Sequence, residues 1–253
     1  MKTLVLQTDN SSDLNLLKEL AERLGITYFE TDNSIQESEI KTDTELKIIN
    51  YEEKDNYTFE DIKKIAAQFP IDYKWTYQDL VNYFPQDLSV KVEIINNQLF
   101  IMPSPEQDHQ EIVGELFVAF KHYAKLHKLG KVIVSPFDVV FDEDNTVIPD
   151  VIFVSVQRMD ILDGKKAQGA PDLAVEVWSK GNKKKEREAK RELYQKNKVT
   201  EFWQIYPKKK QVFVEVLNEK GKYQVFSEAE KEGSIKSKVL TGFEIDITDI
   251  FED

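Results

Sequence analysis

Three acidic side chains lie inside apolar segments of the sequence, where charged residues are uncommon. Asp150 lies in VIPDVIFV, Glu176 in DLAVEVW and Glu93 in VEII. An unpaired buried carboxylate destabilises a fold even after the protein relaxes around it, so each acid needs a partner. A divalent cation held between two carboxylates is one such partner, and hard oxygen ligands suit Mg²⁺ or Mn²⁺. For each acid alone, pairing with Arg or Lys or exposure to solvent is the ordinary alternative.

Two of these acids lie in a specific arrangement. Asp150 follows a proline at the start of an apolar run, and Glu176 precedes Val-Trp in the next one. By strand alternation, Asp150 should share a face with Ile148 and Ile152, and Glu176 with Trp178. For Asp150 and Glu176 together, this arrangement shifts the balance from the ordinary alternative towards a shared metal ion.

The elements that must position these acids follow from hydrophobic periodicity and turn residues. A hairpin over 91–102 turns at Asn96 and Asn97, which tolerate positive φ. A long helix then runs to about Lys128, with Leu116 and Phe120 in its core-facing stripe. Further strands are predicted near 131–135, 137–141, 147–154, 172–178, 201–206, 211–217 and 222–227, with a charged helix near 183–197. This order predicts a mixed α/β fold in which helices flank one mixed sheet.

The first 57 residues form a separate predicted region. A strand at 2–7, a helix to Arg23 and a strand at 26–30 make a small β-α-β unit, and an acidic linker follows at 31–56. A unit of this size buries too little surface to be stable alone. We therefore divide the chain into this module with its linker, 1–57, and a second domain, 58–253.

Composition narrows the classes of function. The 253 residues are 41% hydrophobic and 32% charged, which excludes global disorder. Cysteine is absent, which excludes disulfides, thiolate metal sites and a cysteine nucleophile. No apolar stretch reaches the roughly 18 residues of a membrane span, so we expect a cytoplasmic protein with no membrane partner.

The net charge of −12 is unevenly distributed. Residues 1–60 carry 6 basic and 14 acidic side chains, whereas residues 180–191 carry seven basic and two acidic ones. Lys183, Arg187, Lys190 and Tyr194 fall on one helical face, and Lys180 precedes them. A basic helical face is usually exposed to solvent without a binding role, but beside the acids it could contact nucleic-acid phosphates.

These motifs resemble a known family. Pro149-Asp150 followed by Glu176-Val177-Trp178 is similar to the signature of the PD-(D/E)XK nuclease superfamily. Within that superfamily, residues 76–207 resemble the large bacterial family of putative restriction endonucleases. The matching stretches occur in the family's order: VEIINNQL at 92–99, PSPEQDHQ at 103–110, VIPDVIFV at 147–154, GAPDLAVEVWS at 169–179, KRELY at 190–194 and VTEFWQIYP at 199–207.

The resemblance implies a restriction-endonuclease-like core and a metal-dependent DNA endonuclease. Asp150 and Glu176 would bind Mg²⁺ or Mn²⁺, and the ion would activate a water and neutralise charge on the scissile phosphate. The superfamily usually has a lysine two residues after the second acid, where this chain has Trp178. Lys190, in the matching KRELY stretch, is the natural replacement, although a solvated helix lysine is the ordinary interpretation.

Three further residues match the family. Glu93 corresponds to a glutamate of the first hairpin, and it would be a third ligand or would pair with Lys190. His109 and Gln110 correspond to a His-Gln pair at the start of the long helix. His109 could orient water or bind phosphate, or equally cap or pack the helix, and Gln110 would contact nucleic acid.

The loop after Trp178 departs from the family pattern. Relatives usually continue with Ser-Pro-Ser/Thr, whereas this chain has Ser179-Lys-Gly-Asn182. Two interpretations therefore stay open: an active endonuclease, or a catalytically weak or inactive nuclease-fold module that binds nucleic acid or a protein partner. Fold analogy also suggests a homodimer.

Overall fold

A computed structural model of the chain describes residues 57–85, 90–179 and 184–251. All of them belong to one unit, Ile49–Asp253. The predicted N-terminal module, and Lys180 and Lys183 of the basic helix, lie outside the described residues. The described helices are α1 (Phe59–Ala66), α2 (Tyr77–Tyr83), α3 (Gln107–Leu126) and α4 (Lys184–Lys196). None of them has the length and apolar composition that crossing a membrane requires.

The strands form two main sheets and a short ribbon. The first sheet has the order β2-β1-β5-β4-β7, the second has the order β11-β10-β9-β8-β6-β3, and β12 pairs with β13. The strand bounds are β1 Lys91–Ile95, β2 Gln98–Met102, β3 Gly130–Val134, β4 Asp138–Asp142, β5 Asn145–Val147, β6 Val151–Ser155, β7 Lys166–Gln168, β8 Leu173–Val177, β9 Glu201–Tyr206, β10 Gln211–Leu217, β11 Tyr223–Glu230, β12 Ser234–Lys236 and β13 Glu244–Asp246. The mixed α/β class is confirmed, but the expectation of one sheet is wrong.

The break between the two sheets falls at the predicted strand over 147–154. This segment is not one strand: it leaves the first sheet after Val147 and joins the second at Val151. Pro149 has no backbone N–H to donate to a ladder, which favours a break at this position. Asp150 therefore lies between two strands, and the expected alternation with Ile148 is wrong. Its backbone N–H donates to the Val175 carbonyl at 3.0 Å, which fixes it beside β8.

Apolar residues cover both faces of the second sheet. Leu116 and Phe120 of α3 pack with Trp203 of β9 on one face, as the predicted helical stripe requires. Tyr194 of α4 packs with Ile152 of β6 on the opposite face. Neighbouring side chains of a strand point to opposite faces of the sheet, and nearly all residues of β6 and β8 are buried, so both faces of these strands are covered. This packing keeps Asp150, which precedes β6, and Glu176 of β8 away from bulk water.

The predicted hairpin of β1 and β2 is confirmed. Its turn residues Asn96 and Asn97 have φ values of 50° and 60°, and Glu93 pairs with Phe100 in the register. Helices α1 and α2 cover the hairpin through an apolar cluster that includes Ile62 and Trp75. The hairpin is thus held firmly, and β1 can present side chains to the interior at fixed positions.

Candidate active site

Asp150 lies at the centre of a buried polar cluster and is 1% exposed. Its Oδ1 accepts a short hydrogen bond from Lys91 Nζ, and its Oδ2 accepts one from the Val177 N–H at 2.8 Å. His109 Nε2 lies 3.2 Å from the same Oδ2. Burial alone would raise the pKa of Asp150, but the Lys91 ammonium and the contact with His109 outweigh it and hold the pKa below its usual range. Asp150 is therefore ionised at neutral pH.

The other two acids share one lysine. Lys190 Nζ donates to Glu93 Oε1 at 2.8 Å and to Glu176 Oε1 at 2.9 Å. Tyr194, one turn further along α4, donates its hydroxyl to Glu176 Oε1 at 2.5 Å. The Ile148 N–H donates to Glu93 Oε1 at 2.7 Å. The structure thus brings Glu93 and Lys190 together as an ion pair.

The protonation states of this group follow from burial and charge. Burial raises the pKa of Glu176 to about 7, against the opposing effect of the Lys190 ammonium. Burial alone would lower the pKa of Lys190, but Glu176 and Glu93 outweigh it and raise the pKa, so the amine stays charged. Because the folded form of Glu176 holds its proton more tightly than the unfolded form, this group's contribution to stability falls as the pH rises from about 4.5 to 7.

The cluster contains three carboxyl groups and two ammonium groups. Asp150, Glu93 and Glu176 face two ammonium groups, those of Lys91 and Lys190. Glu93 Oε2 is buried and has no hydrogen-bond partner among the described residues. An unpartnered carboxylate oxygen fits a further cation, and carboxylate oxygens are the donors that Mg²⁺ and Mn²⁺ prefer.

The cluster does not form a ready-made ligand cage. Across the described ranges, no three His, Asp or Glu side chains converge as a metal-holding group. Lys91 is bound to Asp150, and Lys190 bridges Glu93 and Glu176. A divalent ion would therefore compete with these ammonium groups for the carboxylate oxygens. The donor chemistry therefore fits a divalent ion, while ion binding requires at least one ammonium group to move.

His109 and Gln110 differ in their surroundings. His109 lies in the first turn of α3, and its Nε2 reaches Asp150 while its Nδ1 is buried without a partner among the described residues. This contact links α3 to the acid between the two sheets. Gln110, the next residue, is exposed, and its contact with nucleic acid stays a prediction.

Trp178 occupies the position where the superfamily usually has a lysine. Its side chain is 5% exposed, and its indole N–H donates to Gln204 Oε1 at 3.3 Å. The lysines in this site come instead from β1, which carries Lys91, and from α4, which carries Lys190. Arg191, beside Lys190, forms a bidentate pair with Glu215 at 2.7 and 2.6 Å and fixes α4 against β10. The helix is therefore held so that Lys190 enters the cluster.

Only part of the predicted basic face of α4 is exposed to solvent. Lys190 is 1% exposed and Tyr194 is fully buried, so this half of the face lies in the interior. Arg187 is half-buried, with its guanidinium 5.9 Å from the centre of the Tyr206 ring. A contact of Arg187 with nucleic acid stays a prediction, as do those of Lys180 and Lys183.

Sequence reasoning missed two groups of the cluster. Lys91 stands at the start of a predicted strand, and strand alternation places it on the same side as Glu93. That spacing was the available signal. Helical periodicity places Tyr194 on the basic face of α4, and its contact with Glu176 becomes visible only when α4 packs on β8.

A solved structure and a protein family are similar to this chain. The structure is similar to the crystal structure of a putative nuclease belonging to DUF820 from Anabaena variabilis, with a TM-score of 0.54 at 17% identity, covering 77% of this chain and 97% of that one. This likeness assigns the fold to the nuclease-like class. The family Uma2, described as "putative restriction endonuclease", matches residues 77–248. The chain therefore belongs to this family. No curated protein matches it.

Proposed function

We propose that the protein is a metal-dependent DNA endonuclease that hydrolyses phosphodiester bonds. The observation that carries the proposal is the buried cluster of three carboxylates and two ammonium groups, which has an unpartnered oxygen on Glu93. The cluster lies within the span that matches the restriction endonuclease family. A cluster with only a structural purpose would be expected to have a hydrogen-bond partner for each of its buried oxygen atoms.

Asp150 and Glu176 are the proposed ligands of Mg²⁺ or Mn²⁺, and Glu93 Oε2 is the neighbouring free acceptor. When bound, the ion supplies a nucleophilic water and neutralises negative charge on the scissile phosphate. His109 and the Val177 N–H orient the Asp150 carboxylate. The apolar packing around β6 and β8 excludes bulk water from both acids, which strengthens their electrostatic interactions.

Lys190 is the proposed phosphate-facing cation. Its amine stays protonated because two buried carboxylates raise its pKa, so it cannot act as a general base near neutral pH. It serves instead as a fixed positive charge and hydrogen-bond donor beside Glu176. In this proposal, Lys190 replaces the lysine that the superfamily usually has at the position of Trp178.

Cleavage of supercoiled plasmid DNA tests the proposal. We expect the wild type to nick or linearise the plasmid with Mg²⁺ or Mn²⁺ and to be inactive in EDTA. Glu176→Ala should lower the rate at least about a hundredfold, because even residues that only support a metal ligand cost 10- to 100-fold when removed. Glu228→Ala, at an exposed acid on β11, is the matched control and should keep full activity.

A second candidate is a nuclease-fold module that binds nucleic acid or a partner protein with weak or no catalysis. The observation that favours it is the Lys91 ammonium on Asp150, together with the lack of a preformed three-ligand group in the described residues. Under this alternative, neither wild type nor Glu176→Ala cleaves plasmid DNA with either metal. A homodimer and a cytoplasmic location stay predictions.

A further inference from the structure

Four exposed lysines border one groove at the C-terminal end of α3. Lys121 and Lys125 lie one turn apart on the helix, Lys128 lies in the turn that follows, and Lys131 lies on β3. The groove encloses about 550 Å³. This surface is separate from the basic helix α4 and contains none of the candidate site residues.

The charges of this groove are uncompensated within the part of the chain that the structure describes. None of the four lysines forms an ion pair there, and no acidic side chain lines the groove. Lys121 rests over the Phe117 ring at 4.7 Å, which leaves its charge uncancelled. In a chain with a net charge of −12, four cations around one cavity form a localised positive field that attracts a polyanion.

The floor of the groove is apolar and fixed. It includes Val132, Met159 and Val156, which is 51% exposed. Gly130 also lines it, where a Cβ would come within 2.1 Å of the Val154 carbonyl oxygen, so β3 lies tightly against β6. A rigid apolar floor with a cationic rim suits a ligand with anionic groups along one side and less polar sugar surface between them.

We propose that this groove, which we call the α3 lysine groove (Lys121, Lys125, Lys128 and Lys131), binds the phosphate backbone of duplex DNA. Lys121 and Lys125 are about 6 Å apart along the helix axis, a length over which one DNA strand presents about two phosphates. A single carboxylate would leave most of the four charges unmatched, whereas a regular row of phosphates neutralises all of them.

The position of the groove suits a second contact on the same duplex. His109 touches Asp150 at the start of α3, and Lys121 lies twelve residues further on, about 18 Å along the helix. That length corresponds to the axial rise of about five base pairs. The inference rests on the proposed function in taking DNA as the ligand, but binding at the groove does not depend on metal or catalysis.

Fluorescence anisotropy with a labelled 20-base-pair duplex in EDTA tests the inference, using the full chain with Glu176→Gln to exclude cleavage. We compare it with the same chain carrying K121Q, K125Q, K128Q and K131Q at several NaCl concentrations. We expect these substitutions to weaken binding at least tenfold at low salt. They should also flatten the dependence of log K on log salt by roughly 3 to 4, since each phosphate contact contributes about 0.9.

A control of equal charge separates a site from a general field. The variant K208Q, K209Q, K220Q and K222Q removes four exposed lysines elsewhere, and we expect it to change the salt slope by less than one. Equal losses of duplex affinity in the two variants would overturn the inference. Displacement of the duplex by polyglutamate at equal charge concentration would also overturn it, because that result would indicate an acidic protein partner. Plasmid cleavage is measured separately, so failure here is distinguishable from failure of the proposed function.

Discussion

Replacing Lys190 with methionine is expected to lower the free energy of unfolding by about 3–5 kcal/mol, the usual effect of removing one partner of a buried ion pair. Lys190 is 1% exposed and is shared by Glu93 and Glu176, so the substitution leaves two buried carboxylates without their counter-ion. Urea denaturation followed by circular dichroism measures the change. Plasmid cleavage should be lost in the same variant.

The pH dependence gives this prediction a sign. Without the lysine, the pKa of Glu176 should rise further, and an acid with a raised pKa favours the folded state at low pH and loses that effect as the pH rises. The deficit relative to wild type should therefore be larger at pH 8 than at pH 5. Lys196→Met, at an exposed position of α4, is the control and should change stability by no more than about 0.5 kcal/mol. Adding Glu93→Gln to Lys190→Met should restore part of the stability. A loss of stability in Lys190→Met no larger than that in Lys196→Met would contradict the account.

Replacing Lys91 with methionine is expected to have two effects of opposite sign. The metal-free protein should lose roughly 3 kcal/mol of stability, the lower end of the range for buried pairs, because Lys91 is partly exposed and Asp150 keeps two other partners. The affinity for Mn²⁺ should rise about tenfold or more, equivalent to 1.4 kcal/mol, because a competing cation has been removed from Asp150. Denaturation in EDTA and calorimetric titration with Mn²⁺ measure the two effects.

The opposite signs make this prediction specific. A lysine that merely stabilises the fold would give a less stable protein with unchanged or weaker ion binding, and that result would show that Lys91 does not compete with an ion. Lys131→Met, at an exposed lysine on a strand, is the matched control and should leave both quantities close to wild type.

The local elements were predictable because their signals are local. Asn96 and Asn97 mark the hairpin turn, and the stripe through Leu116 and Phe120 marks the buried face of α3. The division into two sheets was not predictable from hydrophobicity, because residues 147–154 are apolar on both sides of the Pro149-Asp150 step. A change of sheet depends on pairing partners that are not adjacent in sequence. For β5 this partner is β1, and for β6 the partners are β3 and β8.

The candidate site was predictable as a set of acids but not as a cluster in which lysines pair with those acids. Asp150, Glu176 and Glu93 were found because acids in apolar runs need partners. Lys91 lies 59 positions from its partner Asp150, and no local pattern connects the two. Lys190 was found through the resemblance, but its place on an otherwise basic helix predicted exposure, whereas packing of α4 buries it.

The central claim is that the buried acids bind a divalent ion, and calorimetric titration of Mn²⁺ into the metal-free full chain tests it most directly. The account predicts one ion per chain in the wild type and in Glu228→Gln, where an exposed acid is changed, and none in Glu176→Gln. A wild type that binds no Mn²⁺ at millimolar concentration, or a Glu176→Gln variant that binds it as tightly as the wild type does, would contradict the claim.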